Sequence, residues 1–178
     1  MKKFIIPLIV SLYLTCISFF MVNVLDWFMY VFYGLVVLNI IIIIINILYP
    51  IINHKKLNPK SYKEIMIYKL ILIPYFIFNF VVGVVILLMG LLSFITIFFF
   101  AGIPLLLMAF LVCVASYVVI LATSSYEIIL LIKGMNKKTV IFNIIMIILN
   151  FIYVLDVVGS IITFINYKNE NKEVAENE

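Results

Sequence analysis

"NIIIIIINILY", Asn39–Tyr49, is an apolar string that carries two asparagines seven residues apart and a tyrosine three residues further on. It has a near-copy in "NIIMIILNFIY", Asn143–Tyr153. The first string sits inside Phe28–Ile52, a run without a single charge. Such a run is long enough to cross the hydrocarbon core of a bilayer as a helix, since roughly 20 apolar residues suffice. An amide inside it is costly in lipid unless it meets a partner. The reading of these strings therefore sets both the fold class and the search for a site.

The rest of the 178-residue chain follows the same pattern: 67% is hydrophobic and 11% charged. Mean hydropathy is +1.35. Soluble domains are about 45–50% apolar and roughly 25% charged. This chain has too little polar surface to cover a water-soluble globule, so the bilayer is its natural solvent and the lipid its first partner. The expected fold is all-α, a polytopic transmembrane helix bundle over residues 1–165 with a disordered polar tail at 166–178. The net charge of +4 comes with twelve lysines and no arginine. The lysines stand at the ends of apolar runs, where membrane topology explains them and nucleic-acid binding is not called for. Cys16 and Cys113 lie in mid-run and read as free thiols rather than as a disulfide. The opening "MKKFIIPLIVSLYLTCISFF" has the basic start of a signal peptide but no small-residue cleavage site, and reads as a retained first span.

Spans are expected at about 4–22 and 28–52. Asp26 sits in the short turn between them, and the basic loop "NHKKLNPKSYK", Asn53–Lys63, follows. From Ile65 to Ile132 only Lys69 and Glu127 are charged. That length fits two crossings, or three if "GLLSFITIFFFAGIP" crosses rather than turns. The basic "KGMNKK", Lys133–Lys138, comes next, then a last span at about 140–165. Lysine placement puts the N-terminus and both basic loops in the cytoplasm. Two crossings between the loops are expected, which gives the bundle five spans and puts the C-terminus outside. A third crossing gives six spans. The location is a plasma (cytoplasmic) membrane. Lys69 is expected to lay its stem along the helix and to snorkel its ammonium to the interface.

On a helical wheel Ile144, Ile147, Ile148, Phe151, Leu155, Val158 and Ile162 share one side of the last span. Asn143, Asn150, Tyr153, Asp156, Ser160 and Thr163 share the other. Asn39 and Asn46 likewise share a face of the second. In antiparallel helices Asn39 would approach Asn150, and Asn46 would approach Asn143. Asp156 stands out, because an ionisable group inside a span must be paired, wetted or protonated, and is a site hypothesis by default. It is placed toward the outer half. Glu127, at the end of the polar cluster "TSSYE", joins the candidate intramembrane polar site of Asp156, Asn150, Tyr153, Asn143, Asn39, Asn46 and Glu127. As for the repeat, its flanks do not align, which favours chance or convergent packing in an isoleucine-rich background over an inverted duplication.

One histidine, His54, rules out His-rich metal sites, and no nucleotide-binding glycine loop or nucleophile motif is present. No cofactor and no metal is expected. "NVLD", Asn23–Asp26, and "VLD", Val154–Asp156, place two aspartates toward the outer face, and this is loosely similar to lipoprotein signal peptidases. The resemblance implies an aspartate pair, Asp26 and Asp156, that activates water. Trp27 stands where that family carries arginine. "KLILIPYFIFNF", "TSSYE" and "YVLDVVGSI" together resemble a group of uncharacterised small multispanning bacterial membrane proteins, a resemblance that implies the membrane class and brings no activity.

The expected function is that of a non-enzymatic, small transporter-like or accessory membrane subunit with an intramembrane polar stripe. Partners are a membrane protein or further copies of the chain. The alternatives are an aspartate-pair intramembrane hydrolase and a membrane immunity or regulatory protein.

Overall fold

The computed structural model describes residues 2–22, 27–58, 61–95, 99–135, 139–152 and 155–176. Among them are six α-helices: α1 Lys2–Met21, α2 Phe28–Ile52, α3 Ser61–Ile95, α4 Phe99–Lys133, α5 Val140–Leu149 and α6 Leu155–Glu176. A 3₁₀ turn, His54–Lys56, follows α2. Two of the expected site residues, Asp26 and Tyr153, lie outside the described residues.

Among the described residues four helices are long and apolar enough to cross a membrane: Phe4–Met21, Met29–Ile52, Ser61–Ile95 and Phe100–Lys133. Their outward faces are isoleucine, leucine, valine and phenylalanine, as in the exposed Ile40, Ile41, Ile44 and Ile45 of α2. That surface is unstable in water and suited to lipid. The stretch 65–132, long enough for two crossings or three, is covered by two helices, α3 and α4. The glycine- and proline-bearing segment expected to turn is helical through Ile95 and again from Phe99.

The chain divides into two compact units. One is Leu72–Val119, the end of α3 and the start of α4. Here the two helices run antiparallel, and at Gly90 they meet closely. A Cβ on Gly90 would lie 3.0 Å from Leu106 Cδ2 and 3.2 Å from the Leu106 backbone nitrogen. Glycine lets the backbones approach, and dispersion over that contact holds helices together where lipid supplies no hydrophobic drive.

The other unit holds everything else, residues 1–71 and 120–178. Within it α1 and α2 form an antiparallel hairpin sewn by polar side chains. Ser11 Oγ donates to Asn39 Oδ1 at 2.6 Å, and Asn39 Nδ2 donates to Thr15 Oγ1 at 2.7 Å. Asn46 Nδ2 donates to the Phe4 carbonyl at 3.1 Å, and the Phe4 and Tyr49 rings meet at a tilt of 44°. On its far side Asn46 Oδ1 accepts from Tyr126 Oη at 3.4 Å, and Ser125 Oγ donates to the Asn46 carbonyl at 3.2 Å. The expected amide pairs across α2 and the last span, Asn39 with Asn150 and Asn46 with Asn143, do not form. Asn39 and Asn46 spend their amides on α1 and α4 instead. Register is still pinned by asparagine, at about 0.6–2 kcal/mol per bond.

The expected single span at 140–165 is two helices. α5 ends at Leu149 and α6 begins at Leu155. Asn150 caps α5, and its side-chain Nδ2 donates back to the Met146 carbonyl at 2.8 Å. The next amides tighten to three-residue spacing, Phe151 N–H to Ile148 and Ile152 N–H to Leu149. This local competition for carbonyls ends the helix without glycine or proline. α5 and α6 then pack antiparallel. A Cβ on Gly159 would touch Leu149 Cβ at 3.3 Å, while Asn143 near the start of α5 and Thr163 further along α6 line one cavity. At ten residues α5 is about 15 Å long, half the thickness of a hydrocarbon core. The last segment is therefore a helical hairpin whose two arms open toward the same end. Its polar wheel holds within each arm but not across the break. The α6 backbone stays helical to Glu176, through a segment whose composition points to disorder.

Candidate functional site

Where α5 ends and α6 begins, three charged side chains from three helices meet out of contact with solvent. Lys69 of α3 and Asp156 of α6 are 0% exposed, and Glu127 of α4 is 1% exposed. Lys69 Nζ donates to Glu127 Oε2 at 2.8 Å, to Asn150 Oδ1 at 2.6 Å, and to Asp156 Oδ1. An ammonium has three N–H groups, and all three are used.

The expected snorkelling of Lys69 is thus reversed. Its stem stays with the buried face of α3, alongside Ile65 and Leu72, and its head is held inside by two carboxylates. A lysine that reaches the interface stabilises its charge with water, whereas this one does so with anions. Lys133, the other cation near the end of α4, is not the partner of Glu127. Its Nζ donates to the Leu57 carbonyl at 3.0 Å and to the Lys55 carbonyl at 3.4 Å.

Two serines complete the cluster. Ser124 Oγ donates to Asp156 Oδ1 at 2.6 Å. Ser160 Oγ reaches Glu127 Oε2 and lies 3.0 Å from the Asp156 carbonyl. Every donor lands on one oxygen of each carboxylate. Among the described residues, Glu127 Oε1 and Asp156 Oδ2 are buried with no hydrogen-bond partner. Such orphaned oxygens are rare and require a physical account. Asp156 also stands in the first turn of α6, where the helix N-terminus favours negative charge.

Of the residues singled out in the sequence, Asp156, Glu127 and Asn150 come together here. Asn143 does not join them: its Nδ2 donates to the Leu131 carbonyl at 3.1 Å, joining α5 to α4. Asn39 and Asn46 belong to the α1–α2 seam. Sequence reasoning missed Lys69, Ser124 and Ser160 as members. One signal pointed at Lys69: the only two charges in Ile65–Ile132 are of opposite sign, and they stand at similar distances from the two basic loops. Among the described residues no three His, Cys, Asp or Glu side chains are grouped to hold a metal ion.

A family model matches residues 2–169, nearly the whole chain and all of the cluster, and the chain belongs to that family, described as a family of unknown function (DUF6652). No curated protein and no solved structure matches it.

Proposed function

We propose that the chain is a multi-pass membrane protein, a small transporter-like or accessory subunit, and that the Lys69–Glu127–Asp156 cluster is its proton-binding centre. One observation carries this: two buried carboxylates share one ammonium, and among the described residues each keeps one oxygen unpartnered. With both ionised the cluster has a net charge of −1. An uncompensated charge deep in a membrane costs about 3 kcal/mol or more. The cheapest neutralisation is a single proton, which needs one free carboxylate oxygen, and two are on offer. The discontinuity between α5 and α6 supports the reading, because broken helices carry the coupling-ion sites of many secondary transporters. A hydrolytic reading has less support. Both serine hydroxyls face carboxylates, and Lys69 Nζ is turned to three other oxygens rather than to either hydroxyl.

The hairpin also bears on topology. It supports an arrangement in which the N-terminus, both basic loops and the C-terminal segment share the cytoplasmic side of a plasma membrane. The C-terminus would then be inside rather than outside.

The test is Asp156→Asn. It keeps the shape and leaves Lys69 and Glu127 as a neutral pair, so insertion and abundance should hold. Infrared titration of the reconstituted chain should show a protonated-carboxyl band that appears as pH falls, and Asp156→Asn should lose it along with cellular function. Loss of abundance with the band retained would mean that Asp156 serves packing, and would sink the proposal.

A further inference from the structure

We infer that the cluster exchanges its proton with water on the side of the basic loops, through a cavity that stands two helical turns from it. This rests on the reading of the cluster as a proton site. The cavity holds about 340 Å³. At about 30 Å³ of liquid volume each, that is room for on the order of ten water molecules. Its lining includes Tyr62 of α3, Gly134 just past α4, Asn143 of α5 and Thr163 of α6.

Each of these four is seven residues from a member of the cluster: Tyr62 from Lys69, Gly134 from Glu127, Asn143 from Asn150, and Thr163 from Asp156. Seven residues along a helix is the same face, two turns or about 10 Å away. The offsets alternate in sign, from Tyr62 before Lys69 to Thr163 after Asp156. The helices alternate in direction too, so all four displacements point to one end. That end carries Lys133 and the Leu57 carbonyl it holds.

One turn separates cavity from cluster. It is filled by Ile65 of α3, Leu130 of α4 and Met146 of α5, all buried, with Ser160 on α6 as the fourth member. Three apolar side chains shut out bulk water, and the one hydroxyl among them bonds Glu127. Among the described residues, the titratable groups that line the cavity are Tyr62, Lys133 and Tyr167, and none is a carboxylate. The carboxylate that Ser160 bonds from the intervening turn is Glu127. The step is an exchange. A hydronium that has passed from the cavity between Ile65, Leu130 and Met146 gives a proton to Ser160 Oγ as Ser160 gives its own to Glu127 Oε2. Rotation of the carboxyl then turns the protonated oxygen away from Lys69 and leaves the bare one to accept its bond. The hydronium becomes water, the serine is restored, and the carboxylate becomes a carboxyl.

The experiment uses the full chain in vesicles, with Cys16→Ser and Cys113→Ser as background. Thr163→Cys places a thiol at the cavity floor, Gly134→Cys places one nearer its mouth, and Asn58→Cys marks the side of the basic loop. A membrane-impermeant thiol reagent is added from one side at a time. Both cavity thiols should react from the side on which Asn58→Cys reacts. Reaction from the opposite side, or of neither thiol, overturns the inference. In parallel, Ser160→Ala should slow the growth of the carboxyl band after a downward pH jump several-fold while its final amplitude stays. An unchanged rate also overturns it. If the unsubstituted chain shows no band at all, it is the proton-site reading that has failed, whatever the labelling shows.

Discussion

Lys69→Met removes the ammonium and keeps most of the stem's volume. It leaves Glu127 Oε2 and Asp156 Oδ1 with only their serine hydroxyls, and Asn150 Oδ1 without the donor at 2.6 Å. Breaking a buried ion pair by deleting one partner costs about 3–5 kcal/mol, because the other charge stays buried. At roughly 1.4 kcal/mol per factor of ten, that lowers the ratio of folded to unfolded chain by about two to four orders of magnitude. The variant has one escape, which is to fold with both carboxyls protonated. Its native state then binds more protons than its unfolded state, so its stability falls as pH rises. The deficit should be smallest in acid and largest in alkali. Lys69→Met combined with Glu127→Gln and Asp156→Asn removes every charge, and replacing a whole buried ion cluster by neutral groups is often close to neutral. The triple variant should thus recover to within about 1 kcal/mol of the parent, and the gain over the single variant measures the stranded charge. Detergent-denaturation titrations in mixed micelles read all of these values. If Lys69→Met alone costs less than about 1 kcal/mol even in alkali, its ammonium reaches water, as an exposed pair's would, and the buried cluster is refuted.

The glycines offer a contrast that separates close helix packing from simple helix propensity. Gly34→Ala, with nothing within 4 Å of its new Cβ, should stabilise by up to about 1 kcal/mol. Gly90→Ala meets Leu106 at 3.0–3.2 Å and should instead destabilise by about 1–3 kcal/mol. Thermal unfolding in one detergent compares the two, and equal effects would mean that α3 and α4 do not approach at Gly90. Epitope tags after Glu178 and within the loop near Asn58 should be reached by antibody from the same side of sealed vesicles. Access from opposite sides would restore the single crossing at 140–165.

How much was legible follows from which interactions are local. Hydropathy marks the long helices because each span's cost and benefit lie within its own residues. The asparagines were legible as polar seams, since an amide in an apolar run needs a partner wherever it sits. Which partner was not legible. Asn39 faces Ser11 and Thr15, 28 and 24 residues away, and nothing in its own string distinguishes them from Asn150. Lys69 failed for the same reason in sharper form. Near the end of a run a lysine has two ways to stabilise its charge, outward to water or inward to anions. Only the arrival of Glu127 and Asp156, 58 and 87 residues further on, selects the second.

The break at Asn150 shows where reading along the chain runs out. "NIIMIILNFIYVLDVVGSII" has no glycine or proline until Gly159 and keeps its apolar rhythm, so every local term favours one continuous helix. A continuous helix, however, would carry Gly159, Ser160 and Thr163 onward, away from the face of α5 that holds Asn143 and Met146. The hairpin brings α6 back along α5, with Gly159 against Leu149 and Ser160 on Glu127. It gives up a few backbone bonds of the continuous helix where α5 ends. It gains the α5–α6 contact, and at the break Asn150 and Asp156 both meet Lys69. Each lost hydrogen bond is worth about 1 kcal/mol, whereas stranding the lysine would cost several. The charge of a residue on α3 thus outweighs the helix preference of a segment about eighty positions away, which is why Asp156 could be singled out from sequence while the fold around it could not.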